Sequence, residues 1–93
     1  MSVELKPTDV PKIAPTFRFQ WEEAQNCYVI LYPEGMVNLS GSAGEIMKRC
    51  DGAQSIADIL TDLKSAFPGV DIEQDVYNFL GAAYDNGWLV SSV

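Results

Sequence analysis

Two hydrophobic periods divide the chain. Between residues 16 and 39 the apolar positions follow strand spacing, and after residue 42 they follow helical spacing. In residues 16–23, Phe17, Phe19 and Trp21 alternate with Arg18, Gln20 and Glu22, which predicts a half-buried strand. Residues 27–32, Cys-Tyr-Val-Ile-Leu-Tyr, form a short unbroken apolar run rich in β-branched and aromatic types, which predicts a strand buried on both faces. Ala24, Gln25 and Asn26 connect the two as antiparallel neighbours. Pro33-Glu34-Gly35 then combines a fixed φ with a residue free to take positive φ, so the chain reverses into a third strand, Met36, Val37, Asn38 and Leu39. A three-stranded meander results, with the first and third strands at its edges.

The helical part opens at once. Ser42 and Glu45 have capping-box spacing, and Asp51-Gly52 offers a stop, so the first helix is expected between them. Ser55 and Asp58 repeat the box ahead of Ile56, Ile59, Leu60, Leu63 and Phe67, one helical stripe that reads as core and ends at Pro68-Gly69. Asp71 is expected to open a third helix with Ile72, Val76, Phe79, Leu80 and Ala83 on its apolar stripe and Tyr77 and Tyr84 on its shoulder. Asn86-Gly87 closes it, and Trp88-Leu89-Val90 returns to plug the core. Three strands followed by three helices make an α+β arrangement of winged-helix type, a fold that hosts many functions.

Pro7, Pro11 and Pro15 lie in a stretch of little periodicity, so residues 1–15 are expected to form a flexible tail with largely unpaired backbone, and residues 16–93 the domain. Ninety-three residues suffice for one modest core. Thirteen acidic against six basic residues give a net charge of −7, which argues against nucleic acid as a partner, because phosphate neutralisation dominates that affinity. The opening residues carry no apolar signal core, and no apolar run approaches the ~20 residues of a membrane span, so a cytoplasmic protein without membrane contact is expected. Cys27 in a strand and Cys50 at a helix end read as structural thiols.

Catalysis finds little support. There is no His, no nucleophile beside a base and no spacing suited to a metal, so neither cofactor nor metal is expected. Asp58, Asp62, Glu73, Asp75 and Asp85 read as a solvated acidic surface, and Gly41 with Gly44 at a helix start is a weak phosphate signal, given the local net charge and the absence of a nearby Lys. The positive feature is the edge formed by Met36, Val37, Asn38 and Leu39, which carries none of the Lys, Pro or bulge devices that usually blunt an edge. A peptide can add there as a fourth strand, with the stripe of the last helix as second wall. The alternative is that this is a plain edge and the stripe is wholly core. Backbone bonds at roughly 0.5 to 1.5 kcal/mol net scarcely reach millimolar affinity once a flexible peptide is ordered. Side-chain pockets must supply the rest.

Several segments resemble the PqqD family of pyrroloquinoline quinone (PQQ) biosynthesis. They are Phe-Arg-Phe-Gln-Trp-Glu-Glu, then Tyr-Val-Ile-Leu-Tyr-Pro-Glu-Gly-Met-Val-Asn-Leu-Ser, then Ile-Met-Lys-Arg-Cys-Asp-Gly and Ser-Ile-Ala-Asp-Ile-Leu. The resemblance runs from about residue 15 to residue 89. It implies a peptide chaperone, a recognition element for ribosomally made and modified peptides, which holds the precursor peptide PqqA and presents it to the radical S-adenosylmethionine enzyme PqqE. It also implies a peptide strand lying on the third strand beside the third helix. Carried onto this chain, that gives Met36, Val37, Asn38 and Leu39 with Asp75, Val76, Phe79, Leu80 and Ala83. Two other readings remain at this point: a subunit that clamps its enzyme without touching peptide, and a DNA-binding winged helix, whose recognition helix here has the wrong charge. A monomer is expected, with dimers by strand exchange as the variant.

Overall fold

The structure, a computed structural model, describes residues 5–91. Residues 1–4 of the expected tail and 92–93 of the expected domain lie outside them. The chain runs β1 (Pro11–Ile13), β2 (Arg18–Glu22), β3 (Cys27–Tyr32), β4 (Gly35–Asn38), α1 (Gly41–Lys48), α2 (Ile56–Ala66), α3 (Glu73–Asp85) and β5 (Leu89–Ser91). Strands β2, β3 and β4 form the expected antiparallel meander in that order, and β1 pairs with β5 in a second, two-stranded sheet.

Register decides which face of the meander is covered. Phe19 lies opposite Ile30, which lies opposite Val37, and Trp21 lies opposite Tyr28. These residues share one face with Leu39, and the helices pack against it around a core that includes Ile30, Leu39, Ile46, Met47, Ile56, Ile59, Leu63, Val76, Leu80 and Leu89. Tyr28 stacks on Phe19 at 4.7 Å between ring centroids and meets Trp21 edge-on at 5.0 Å. Behind that ring, α1 comes so close at Gly44 that a Cβ there would stand 2.8 Å from Tyr28 Cδ2. On the opposite face Val29 is fully buried between its ladder neighbours Gln20 and Asn38.

The helix ends differ from the sequence reading in instructive ways. Ser40, not Ser42, caps α1, its hydroxyl accepting from the Ala43 N–H, while the Glu45 carboxylate turns to Arg49 instead of closing a box. Helix α1 also stops at Lys48, because the following chain pairs Asp51 with Lys12, and Gly52 takes its positive φ of 80° in that loop. The Ser55–Asp58 box is present in full. At α3 the cap is Ile72, without a side-chain bond, so Asp71 does not open the helix. Its other end closes as expected: Gly87 at φ 79° lets its N–H donate to Tyr84 and that of Trp88 donate to Ala83. Leu89 then plugs the core, whereas Val90 is exposed.

The N-terminal stretch is the main correction. Backbone expected to be unpaired is paired from Pro7 to Ala14. The Ile56 and Ala57 N–H groups at the start of α2 donate to the carbonyls of Asp9 and Pro7, Gly52 N–H donates to Pro11, and Ala14 N–H donates to Trp88. Proline lacks a donor, but its carbonyl accepts normally. The Asp9 and Pro7 carbonyls satisfy helix-start donors that would otherwise be orphaned.

Both cysteines are free thiols, Cys27 half-buried and Cys50 buried. The Cys50 thiol donates to the Ile46 carbonyl at 3.3 Å. Burial, with a smaller contribution from Asp51, pushes its pKa from 9.0 up to about 12. Only the thiolate is a good nucleophile. Iodoacetamide at pH 8 is therefore expected to modify Cys27 in the native protein well before Cys50, and both alike in denaturant; equal native rates would contradict this burial. Since the unfolded thiol ionises first, the Cys50 contribution to stability is complete below pH 9 and is lost as pH rises toward 12.

Candidate functional site

Strand β4 is an edge whose outward groups are set by its pairing. The Leu39 N–H donates to the Tyr28 carbonyl at 2.9 Å, and Tyr32 lies opposite Gly35 across a two-residue turn. Antiparallel ladders alternate bonded and non-bonded pairs, so Gly35, Val37 and Leu39 turn their backbone groups toward β3, and Met36 and Asn38 turn theirs away. No described strand lies on that outer side. Gly35 sits in β4 without positive φ, so the turn rests on Pro33 and Glu34 rather than on glycine. Met36 is 41% exposed, and the Asn38 amide donates to Gln25 Oε1 at 2.6 Å.

Past Asn38 the chain leads directly to a cavity. Leu39 dives into the core, Ser40 caps α1, and Gly41 and Ser42 form one lip of an apolar cleft of about 410 Å³. Its floor is Ile46, Leu63 and Val76, its far wall is Phe67 and Ile72, and two carboxylates, Glu45 and Asp75, border it. That volume lies within the range of small-ligand pockets. Phe67 lines the cleft because α2 ends on it with φ −129° and ψ 69°, which swings the ring off the helical stripe and leaves it 43% exposed. The expectation that Phe67 is core is corrected accordingly.

The two carboxylates differ in their surroundings. Arg49 donates from Nη1 to Glu45 Oε1 at 2.9 Å and from Nε to Asp62 Oδ2 at 2.7 Å, tying α1 to α2. Burial alone would lower the Arg49 pKa, but its hydrogen bonds to Glu45 and Asp62 outweigh that and raise it. Glu45 thus has a cationic partner, which it shares with Asp62. Glu73, on α3, faces Lys64 at 3.7 Å. Asp75 is exposed, and among the described residues no hydrogen bond or ion pair engages its carboxylate.

The nine residues singled out in the sequence therefore separate. Met36, Val37, Asn38, Asp75 and Phe79 keep surface, while Leu39, Val76, Leu80 and Ala83 are buried. Leu80 and Ala83 have no exposed area at all, so they support the helix wall from behind rather than form its surface. Asp75 and Val76 meet in the cleft, and the sequence reading missed its other walls, Ile46, Leu63, Phe67 and Ile72. The available signal was the apolar pair Phe67 and Val70 flanking Pro68-Gly69, too close to a helix end to be held in a core stripe. Among the described residues no group of three His, Cys, Asp or Glu is placed to hold a metal ion.

The sequence model of the PqqD family, Coenzyme PQQ synthesis protein D, matches residues 27–89. The chain belongs to the PqqD family. That match spans β3, β4, all three helices and the start of β5, and so contains both the edge and the cleft. The PqqA binding protein of Azotobacter vinelandii is 51% identical over 82 residues, covering 87% of this chain and 89% of that protein. The PqqA binding protein of Stutzerimonas stutzeri is 41% identical over 87 residues, covering 92% and 95%. In three dimensions the chain is similar to the PqqD truncation of Methylobacterium extorquens PqqCD, whose solution NMR structure represents a functional, stand-alone RiPP recognition element. The TM-score is 0.76 at 26% identity, with 94% of this chain and 95% of that one covered. The PqqD fold is thus the α+β arrangement expected from the sequence.

Proposed function

We propose that this PqqD-family protein is a peptide chaperone of PQQ biosynthesis. It binds the precursor peptide PqqA as an added strand on β4 and presents it to the radical S-adenosylmethionine enzyme PqqE. The observation that carries this reading is the outward-facing backbone of Met36 and Asn38 leading into an apolar cleft. Its PqqA-binding relatives supply the identity of the peptide.

The mechanism is positioning. Two donors and two acceptors on β4 hold the peptide backbone along the edge, and the cleft adds the apolar area and the selectivity that backbone bonding lacks. Held this way, a short flexible substrate reaches its enzyme at a raised effective concentration and in one orientation. Such a role asks for no catalytic group in the chaperone itself.

Titrating isotope-labelled protein with synthetic PqqA tests the reading. Saturable amide shifts centred on residues 36–39 and 75–83 are the expected result. Shifts that arise only when the enzyme is added would replace it with a subunit that clamps the enzyme.

A further inference from the structure

We infer that the cleft between α1, α2 and α3 is a selective side-chain pocket for the same peptide: it takes a bulky apolar residue and pairs Asp75 with a Lys or Arg beside that residue. This rests on the peptide reading above and deepens it. Distance along the chain makes the two sites continuous. Gly41, on the lip of the cleft, is only three residues past Asn38, a span of at most about 10 Å. A peptide residue two or three positions beyond the one opposite Asn38 is therefore within reach of the cleft's lip at Gly41.

Charge selects the neighbour. Among the described residues no Lys or Arg lines the cleft, Glu45 shares the Arg49 cation with Asp62, and Asp75 is the lining carboxylate with no partner at all. The chain as a whole carries −7. An acidic peptide segment would meet this carboxylate with no cation to offset it, and a neutral one would leave it unused. A basic residue completes it. The apolar floor meanwhile rewards a large side chain, because desolvating Leu63, Ile72 and Phe67 is favourable only if the cleft is filled.

The test measures binding of synthetic PqqA, and of peptides in which each Lys or Arg is replaced in turn by Glu, to wild-type protein and to Asp75→Lys, with thermal melts confirming that the variant folds. For wild type, one Lys-to-Glu or Arg-to-Glu peptide should bind about ten-fold more weakly, and Asp75→Lys should reverse that order. Asp75→Asn should cost about three-fold and flatten the salt dependence, the scale of one exposed ion pair. Methyl shifts at Ile46, Leu63 and Ile72 should accompany binding and vanish when the peptide's bulky residue is cut to Ala. Wild-type binding that is indifferent to every peptide charge, or that leaves those methyls unmoved, overturns this inference and leaves the chaperone reading intact. Absence of any binding overturns both. Concentration-dependent shifts at Ile72 without peptide would assign the cleft to a second copy instead and also overturn it.

Discussion

Asn38→Pro is expected to abolish PqqA binding while leaving the protein folded. The Asn38 N–H points away from β3, so proline removes no bond from the existing ladder, and extended backbone at an edge is compatible with its fixed φ. What it removes is one of two outward donors, and its ring stands where the incoming strand must lie. Losing one bond costs about 0.5 to 1.5 kcal/mol, but holding the peptide backbone away from β4 breaks its neighbours as well. A loss of at least about ten-fold, about 1.4 kcal/mol, is the expected minimum. Asn38→Ala, which keeps the N–H and loses only the side-chain bond to Gln25, should bind nearly as wild type. Val37→Pro should instead damage the fold, because its N–H faces β3. Unchanged affinity in a folded Asn38→Pro protein would rule out strand addition on β4. Leu39→Pro cannot make this distinction, since Leu39 is buried and its N–H is bonded to Tyr28.

The difference between Leu39 and Asn38 shows where sequence pattern stops. Period-two spacing places strands and assigns faces, and here it yields the meander and the edge. The phase of the hydrogen-bond ladder depends on the turn, and the pattern points to Gly35 whereas Pro33 and Glu34 form it. Capping residues behave similarly. Ser55 with Asp58 satisfies both halves of a box locally, so spacing sufficed. Ser40 and Ser42 both precede α1, and the choice between them follows from where Leu39 enters the core. Asp71 loses the cap of α3 to Ile72, whose side chain borders the cleft. The docking of residues 7–14 is illegible for a simpler reason: its hydrogen bonds, to the start of α2, to Gly52 and to β5, run through backbone groups, which every residue carries and no composition reveals.

Gly44→Val is expected to lower stability by about 2 to 3 kcal/mol, and peptide affinity with it. Glycine inside a helix is a cost of about 1 kcal/mol against alanine, so its presence at a buried position of α1 needs a compensating reason. As a phosphate signal Gly44 is weak; the structure offers packing instead. The ring of Tyr28 lies 2.8 Å from where a Gly44 Cβ would sit, and it is held from its other sides by Phe19 and Trp21. The ring cannot retreat, so α1 must. Overpacking of this kind costs about 1 to 3 kcal/mol, and the β-branched Val recovers little of the helix propensity that would offset it. In a domain of this size, about 10 °C or more of the melting temperature should be lost. Glu45 and Ile46, which line the cleft, move with the helix, so the peptide pocket is disturbed as well. Combining Gly44→Val with Tyr28→Ala should destabilise less than the sum of the two changes, because the second removes the obstacle to the first. Strict additivity, or a Gly44→Val protein as stable as wild type, would mean that contact with Tyr28 is not what keeps position 44 small.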